Sequence, residues 1–164
     1  MQRNNVLITI VIFVAFAWVL FGGGALGPTQ ADAAEPLKAA FIYVGPIGDL
    51  GWSWEHDTGR KMLESEFGDK VKTTYIESVP EGPDAARVIR QYAQQGYKVI
   101  FATSFGYMDP MLEVARDFPK VYFEHCSGFK TAPNMSTYFG RMYQPRYLSG
   151  IVAGKMTKTN IIGY

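Results

Sequence analysis

The chain has 164 residues, enough for one ordinary domain, with 48% hydrophobic and 19% charged residues, the profile of a packed fold rather than a disordered chain. A formal net charge of +1, with no polybasic run, argues against nucleic acid or an anionic membrane surface as partner. Cys126 is the only cysteine, so an intramolecular disulfide is excluded.

Residues 1–33 read as a secretory leader. Arg3 gives a positive head, Val6 to Phe21 is almost wholly apolar, and Ala31-Asp32-Ala33 forms a small-residue cleavage site before Ala34. A retained membrane anchor is the alternative, though the run is short for a span of about 20 residues. No cysteine sits just after the apolar run, so the expectation is a periplasmic protein that is not a lipoprotein.

From Leu37 onward, short apolar runs alternate with helical stretches. Lys38 to Val44 reads as a buried strand ended by Gly45-Pro46. Trp54 to Phe67 reads as a helix stopped by Gly68, and Val71 to Val79 as a second strand. Pro83 to Gln95 is an amphipathic helix with Val88, Ile89, Tyr92 and Ala93 on one face. Lys98 to Thr103 is a third strand. Asp109-Pro110 opens the next helix as N-cap and first position, and this helix runs to about Phe118. Val121 to Cys126 and Ser136 to Phe139 come next as strands, Pro145 to Thr157 as a helix, and Asn160 to Tyr164 as the start of another strand. Strand–helix alternation of this kind predicts an α/β fold, a parallel sheet covered on both faces by helices.

Ligands of open parallel sheets bind beyond the carboxyl ends of the strands. Three loops leave such ends: Gly45 to Trp54, Ser104 to Met108, and Ser127 to Phe129. Each combines glycine, an aromatic ring and a small polar group. The candidate ligand contacts are Asp49, Trp52, Ser53, Ser104, Phe105, Gly106, Tyr107 and Ser127. Rings can stack a planar ligand, and Asp49 can accept paired hydroxyl hydrogen bonds. Trp52 and Phe105 are equally readable as core aromatics. The first loop lacks both GxxxxGK[ST] and GxGxxG, and its only nearby charge is negative, so it favours an uncharged ligand over a phosphate.

No catalytic, metal or cofactor site is expected. His56 stands between Glu55 and Asp57 and reads as a solvated helix-face residue. His125 and Cys126 are adjacent on a strand, so their side chains point to opposite faces and cannot form a nucleophile–base pair. No HExxH or CxxC spacing occurs.

Three blocks carry a family resemblance: FIYVGPIGDLGWSWEHDTGR, VPEGPDAARVIRQYAQQGYKVIFATSFGYMDP and RYLSGIVAGKMTKTNIIGY. Together they resemble the basic membrane protein family, the purine-nucleoside or nucleobase receptors of ABC importers, over about Lys38 to Tyr164. The resemblance implies a type I periplasmic-binding-protein architecture with Rossmann-like lobes closing on the ligand. Residues 34–159 would form the N-terminal lobe, 160–164 would lead toward a second lobe missing from this sequence, and the chain would be an N-terminal fragment. It implies a solute-binding protein that captures a purine nucleoside or nucleobase and delivers it to an ABC permease in the inner membrane. A ligand-sensing protein of the same fold is the alternative, and a nucleoside hydrolase the remote one. Many members have Asp-x-x-Phe-Asn where this chain has Asp49-Leu50-Gly51-Trp52-Ser53. The ring is thus larger, and an amide is replaced by a hydroxyl, which leaves base versus nucleoside open.

Overall fold

The computed structural model of the chain describes residues 35–163. The expected leader and its cleavage site near Ala33 lie outside the described residues, as does Tyr164. The elements, in chain order, are β1 (Leu37–Ile42), α1 (Trp52–Phe67), β2 (Val71–Ile76), α2 (Pro83–Gln94), β3 (Val99–Ala102), α3 (Met108–Asp117), β4 (Tyr122–Cys126), β5 (Met135–Tyr138) and α4 (Tyr143–Met156). Single 3-10 turns precede α1, α3 and β2 at Ile47–Asp49, Phe105–Tyr107 and Gly68–Lys70.

All five strands run parallel in the order β2-β1-β3-β4-β5. The predicted α/β class is therefore observed. β1 lies inside the sheet, which explains its run of four buried residues, Ala39 to Ile42: a strand covered on both faces needs apolar side chains on both. Ala39 pairs with Thr73 on one side and with Val99 on the other.

The two faces are covered unequally. On one, Ala40, Ile42, Ile100, Ala102 and Phe123 pack with Val88 and Ile89 of α2 and Met111 and Val114 of α3 in the main core. The spacing of Ala85, Val88, Ile89 and Ala93 along α2 is the i, i+3, i+4 pattern that turns one helical stripe inward. On the other face, Ala39, Phe41 and Tyr43 pack with Ile47 and Leu63, under α1. The Phe41 and Phe101 rings stack there at 4.4 Å between centroids.

α1 turns a polar stripe inward. Its buried residues are Ser53, Asp57 and Arg60. Asp57 accepts hydrogen bonds from Arg60 Nε (2.7 Å) and from Tyr43 Oη (3.4 Å), and pairs with Lys61 Nζ at 2.8 Å. Arg60 also donates to Thr73 Oγ1 at 2.8 Å and lies 4.8 Å above the Tyr75 ring. A buried carboxylate and guanidinium are tolerated because each is paired and hydrogen-bonded. The network fixes α1 against β1 and β2.

Three expectations are corrected. Trp52 and Ser53 belong to the first turn of α1 rather than to the preceding loop. Asp109 is not a cap: α3 begins at Met108, continuing directly from the 3-10 turn, and the Asp109 carboxylate pairs with Lys130 at 2.6 Å. Residues 160–163 form no strand, and Ile161 and Ile162 are exposed. A strand persists only where a neighbour satisfies its backbone groups, and no ladder partner meets this segment among the described residues. α4 contributes no buried residue, although it carries Tyr147, Leu148, Ile151, Val152 and Met156. No helix among the described residues is long and apolar enough to cross a membrane.

Candidate functional site

Strand order reverses between β1 and β3, because the chain steps outward from β1 to β2 and then back past β1 to β3. In a doubly wound sheet this switch point leaves a crevice at the carboxyl ends of the two strands. The connections after β1 and β3 flank it. Three non-glycine residues in strand-end connections adopt positive φ: Leu50 (50°) after β1, Ser78 (54°) after β2 and Ser127 (73°) after β4. Such strain persists only where surrounding contacts enforce it, and it concentrates at functional sites.

A hollow of about 480 Å³ opens beside the switch point, lined by Leu50, Gly51, Trp52, Trp54, Glu55, His56, Cys126, Tyr138, Gly140 and Met142. Its size falls within the roughly 300–1,000 Å³ of small-molecule sites. Trp52 organises it. The indole N–H donates to the Thr103 carbonyl at 2.5 Å, so the ring is anchored to the end of β3. The His56 ring lies 4.8 Å from the Trp52 ring, with Nδ1 2.7 Å from the Trp52 carbonyl. Phe139 lies 6.4 Å from Trp52, and Tyr138 lies 6.3 Å from His56. These rings form a largely apolar wall with a few polar groups, suited to a flat ligand.

Of the predicted contacts whose side chains are described, Trp52 alone lines this hollow. Asp49 ends the Ile47–Asp49 turn, and its side chain lies outside the described residues. Ser53 is fully buried in the first turn of α1. Ser104 and Gly106 sit at the end of β3 facing Glu81: Ser104 Oγ and the Gly106 N–H both donate to Glu81 Oε1, at 2.5 and 3.1 Å. Phe105 is exposed and its ring lies 6.3 Å from that of Phe129. Tyr107 is corrected to a core residue: it is fully buried and donates its hydroxyl to the Val79 carbonyl. Ser127 is half-buried and donates its hydroxyl to the Cys126 carbonyl.

His56, Tyr138 and Trp54 were not predicted. His56 is half-buried against Trp52 rather than solvated. The signal lay in its position: His56 is four residues after Trp52, one helical turn away on the same face. That face became visible only once Trp52 was inside the helix.

His125 and Cys126 do point to opposite faces. Cys126 lines the hollow, whereas the His125 ring reaches Ser104, with Nε2 2.8 Å from its carbonyl. Burial pushes the Cys126 thiol up to about 11, so it is protonated at neutral pH and unsuited to nucleophilic attack. Burial also lowers the pKa of His125, against an opposing contribution from the Ser104 carbonyl. The neutral ring therefore donates Nε2–H to Ser104, and buried Nδ1 has no hydrogen-bond partner among the described residues. Its neighbour is Gly128, where a Cβ would lie 2.1 Å from Nδ1.

Comparison with known proteins bears on this arrangement. Residues 37–164 match the profile of the Bmp family, described as ABC transporter substrate-binding protein PnrA-like. The chain is 50% identical over 154 residues to a purine-binding protein of Brucella abortus (strain 2308), covering 94% of this chain and 42% of that protein. It is 47% identical over 138 residues to a protein of Haloferax volcanii whose proposed name is ABC transporter glucose-binding protein TsgA13, covering 84% of this chain and 34% of that one. Among solved structures, an ABC transporter solute-binding protein from Conexibacter woesei superposes with a TM-score of 0.63 at 24% identity, over 72% of this chain and 40% of that chain. The chain thus spans less than half the length of these relatives.

Proposed function

From the premise that this chain belongs to the Bmp family of PnrA-like ABC transporter substrate-binding proteins, we propose that it captures a purine base or nucleoside outside the cytoplasm for delivery to an ABC permease. The family is one of binding proteins rather than enzymes. The observation that carries the purine reading is the hollow walled by Trp52, His56 and Tyr138. A planar heterocycle can lie on the Trp52 face, and base–aromatic stacking contributes about 1–3 kcal/mol in single-stranded nucleic-acid complexes, a scale transferred here by analogy. The purine-binding Brucella relative supports the same ligand class. A sugar is the second reading, favoured by the name of the Haloferax relative.

Calorimetric titration of the full chain with adenine, adenosine and glucose separates the two. Saturable heat with adenine or adenosine and none with glucose is the expected result. Binding of glucose alone would replace the purine reading with the sugar one.

A further inference from the structure

We infer that the connector between β2 and α2, residues 77–82, is the element that positions the purine site, with Glu77 and Glu81 as its positioning residues. The inference rests on the proposed purine function of the hollow. None of the predicted ligand contacts lies in this connector, and none of its residues lines the hollow.

β2 is an edge strand, yet the connector leaving it reaches both loops that flank the switch point. Glu77 Oε1 accepts the Ile47 N–H at 2.8 Å, in the connection after β1. Glu81 Oε1 accepts both the Ser104 hydroxyl and the Gly106 N–H, in the connection after β3. Between the two carboxylates, buried Val79 makes a second pair of ties: its N–H donates to the Tyr43 carbonyl at 3.1 Å, and its carbonyl accepts the Tyr107 hydroxyl at 2.5 Å. Ser78, at φ 54°, turns the chain between them. One six-residue segment thus holds the exits of β1 and β3 to each other by side chain and by backbone.

The chemistry suits a positioning role. The Ile47 and Gly106 amides leave the sheet ladder where β1 and β3 end, and a carboxylate satisfies such donors with charge-assisted bonds, roughly twice as strong as neutral ones. Glu81 packs so closely that a Cβ on Gly106 would lie 2.2 Å from its carboxyl carbon. Ser104 is held at both ends, its hydroxyl by Glu81 and its carbonyl by His125. Thr103, whose carbonyl anchors the Trp52 indole, precedes it directly. Loops held in the bound geometry beforehand lose less freedom when a ligand arrives, which raises affinity without any new contact.

The test compares Glu77→Ala and Glu81→Ala with Glu77→Gln and Glu81→Gln in the full chain. The readouts are adenine and adenosine affinity by calorimetry and amide hydrogen exchange at Ile47, Gly106 and, as a core control, Ile100. Glutamine keeps an acceptor oxygen and should restore affinity to within about threefold, whereas each alanine should weaken it by about tenfold, the scale of one or two hydrogen bonds. Gly106→Ala, which expels the Glu81 carboxylate, should resemble Glu81→Ala. Exchange should accelerate at Ile47 in Glu77→Ala and at Gly106 in Glu81→Ala, with Ile100 unchanged. Unaltered affinity in both alanine variants of a chain that binds purines would overturn the inference. A wild-type chain that binds neither purine would sink the purine reading instead. The exchange rates would then decide the connector's role: selective acceleration supports it, and equal protection in wild type and variants overturns it.

Discussion

The indole of Trp52 and the carbonyl of Thr103 are joined by a 2.5 Å hydrogen bond, so the first turn of α1 is tied to the end of β3 across the switch point. This bond gives the ring an anchor independent of any ligand. Trp52→Ala is expected to weaken purine binding by about 1–3 kcal/mol, roughly 5- to 150-fold. Trp52→Phe keeps a ring but leaves the carbonyl without its donor, and is expected to lower stability by about 0.5–1.5 kcal/mol. Calorimetry with adenine and urea unfolding measure the two effects. Unchanged affinity in Trp52→Ala would make the residue a core aromatic only.

Asp57 is expected to govern acid stability. Burial acts to raise its pKa, but the hydrogen bonds from Arg60 and Lys61 outweigh it and hold the carboxyl below the usual range. The corresponding stabilisation is complete above the unfolded value near 4 and disappears as pH falls through the lower folded value. Asp57→Ala removes the Arg60 Nε acceptor but leaves Glu64 3.1 Å from Arg60 Nη1, and should cost about 1–3 kcal/mol. Asp57→Asn should flatten the stability profile below pH 4. Urea midpoints from pH 2 to pH 7 check both, and a wild-type-like slope in Asp57→Asn would refute the assignment.

His125 titrates in the opposite chemical sense but with the same sign in stability. Because burial lowers its folded pKa, the unfolded chain binds the proton first, at about 6.5. Stability is therefore complete above about pH 6.5 and declines as pH falls toward the folded value. His125→Gln should lack the decline between pH 7 and pH 5. Gly128→Ala pushes a methyl group onto the enclosed ring and should cost about 1–3 kcal/mol, the usual penalty of overpacking. A Gly128→Ala variant as stable as wild type would show that the His125 ring can move aside.

Helix α4 should be the least protected of the described helices. It contributes no buried residue, and local opening is cheapest where few apolar contacts hold an element. Its amides should exchange at least about a hundredfold faster than those of α2, a difference near 2.7 kcal/mol at 1.4 per decade. Equal protection of the two helices, measured by hydrogen exchange and mass spectrometry, would contradict this.

The sequence disclosed most where periodicity was clean. α2 was readable nearly to the residue because Pro83 opens it and Val88, Ile89 and Ala93 repeat at helical spacing. The start of α1 was obscured because its inward stripe is Ser53, Asp57 and Arg60, and a polar stripe resembles a solvent face until its partners, Tyr43 and Thr73, are in place. The opposition of His125 and Cys126 followed from strand alternation alone. Glu77 and Glu81 were invisible as site elements because their partners, Ile47, Ser104 and Gly106, are 23 to 30 residues away, and nothing local marks such a bond. Tyr107 follows a strand end, the position at which sequence alone marks a ligand contact. Its burial depends on Val79, a residue of another connection.

The strand order has a consequence in time. β1 is made first, yet both its partners come later, at Val71–Ile76 and Val99–Ala102. Neither pairing can arise from a tight turn, since parallel neighbours need a crossover. A growing chain carries an apolar segment with both edges bare until residue 76 exists and one edge bare until residue 102, and closing those distant pairings costs loop entropy before any contact compensates it. Assembly should therefore be slow by the standards of helical domains, milliseconds or longer rather than microseconds. During that interval β1 needs shelter from other chains.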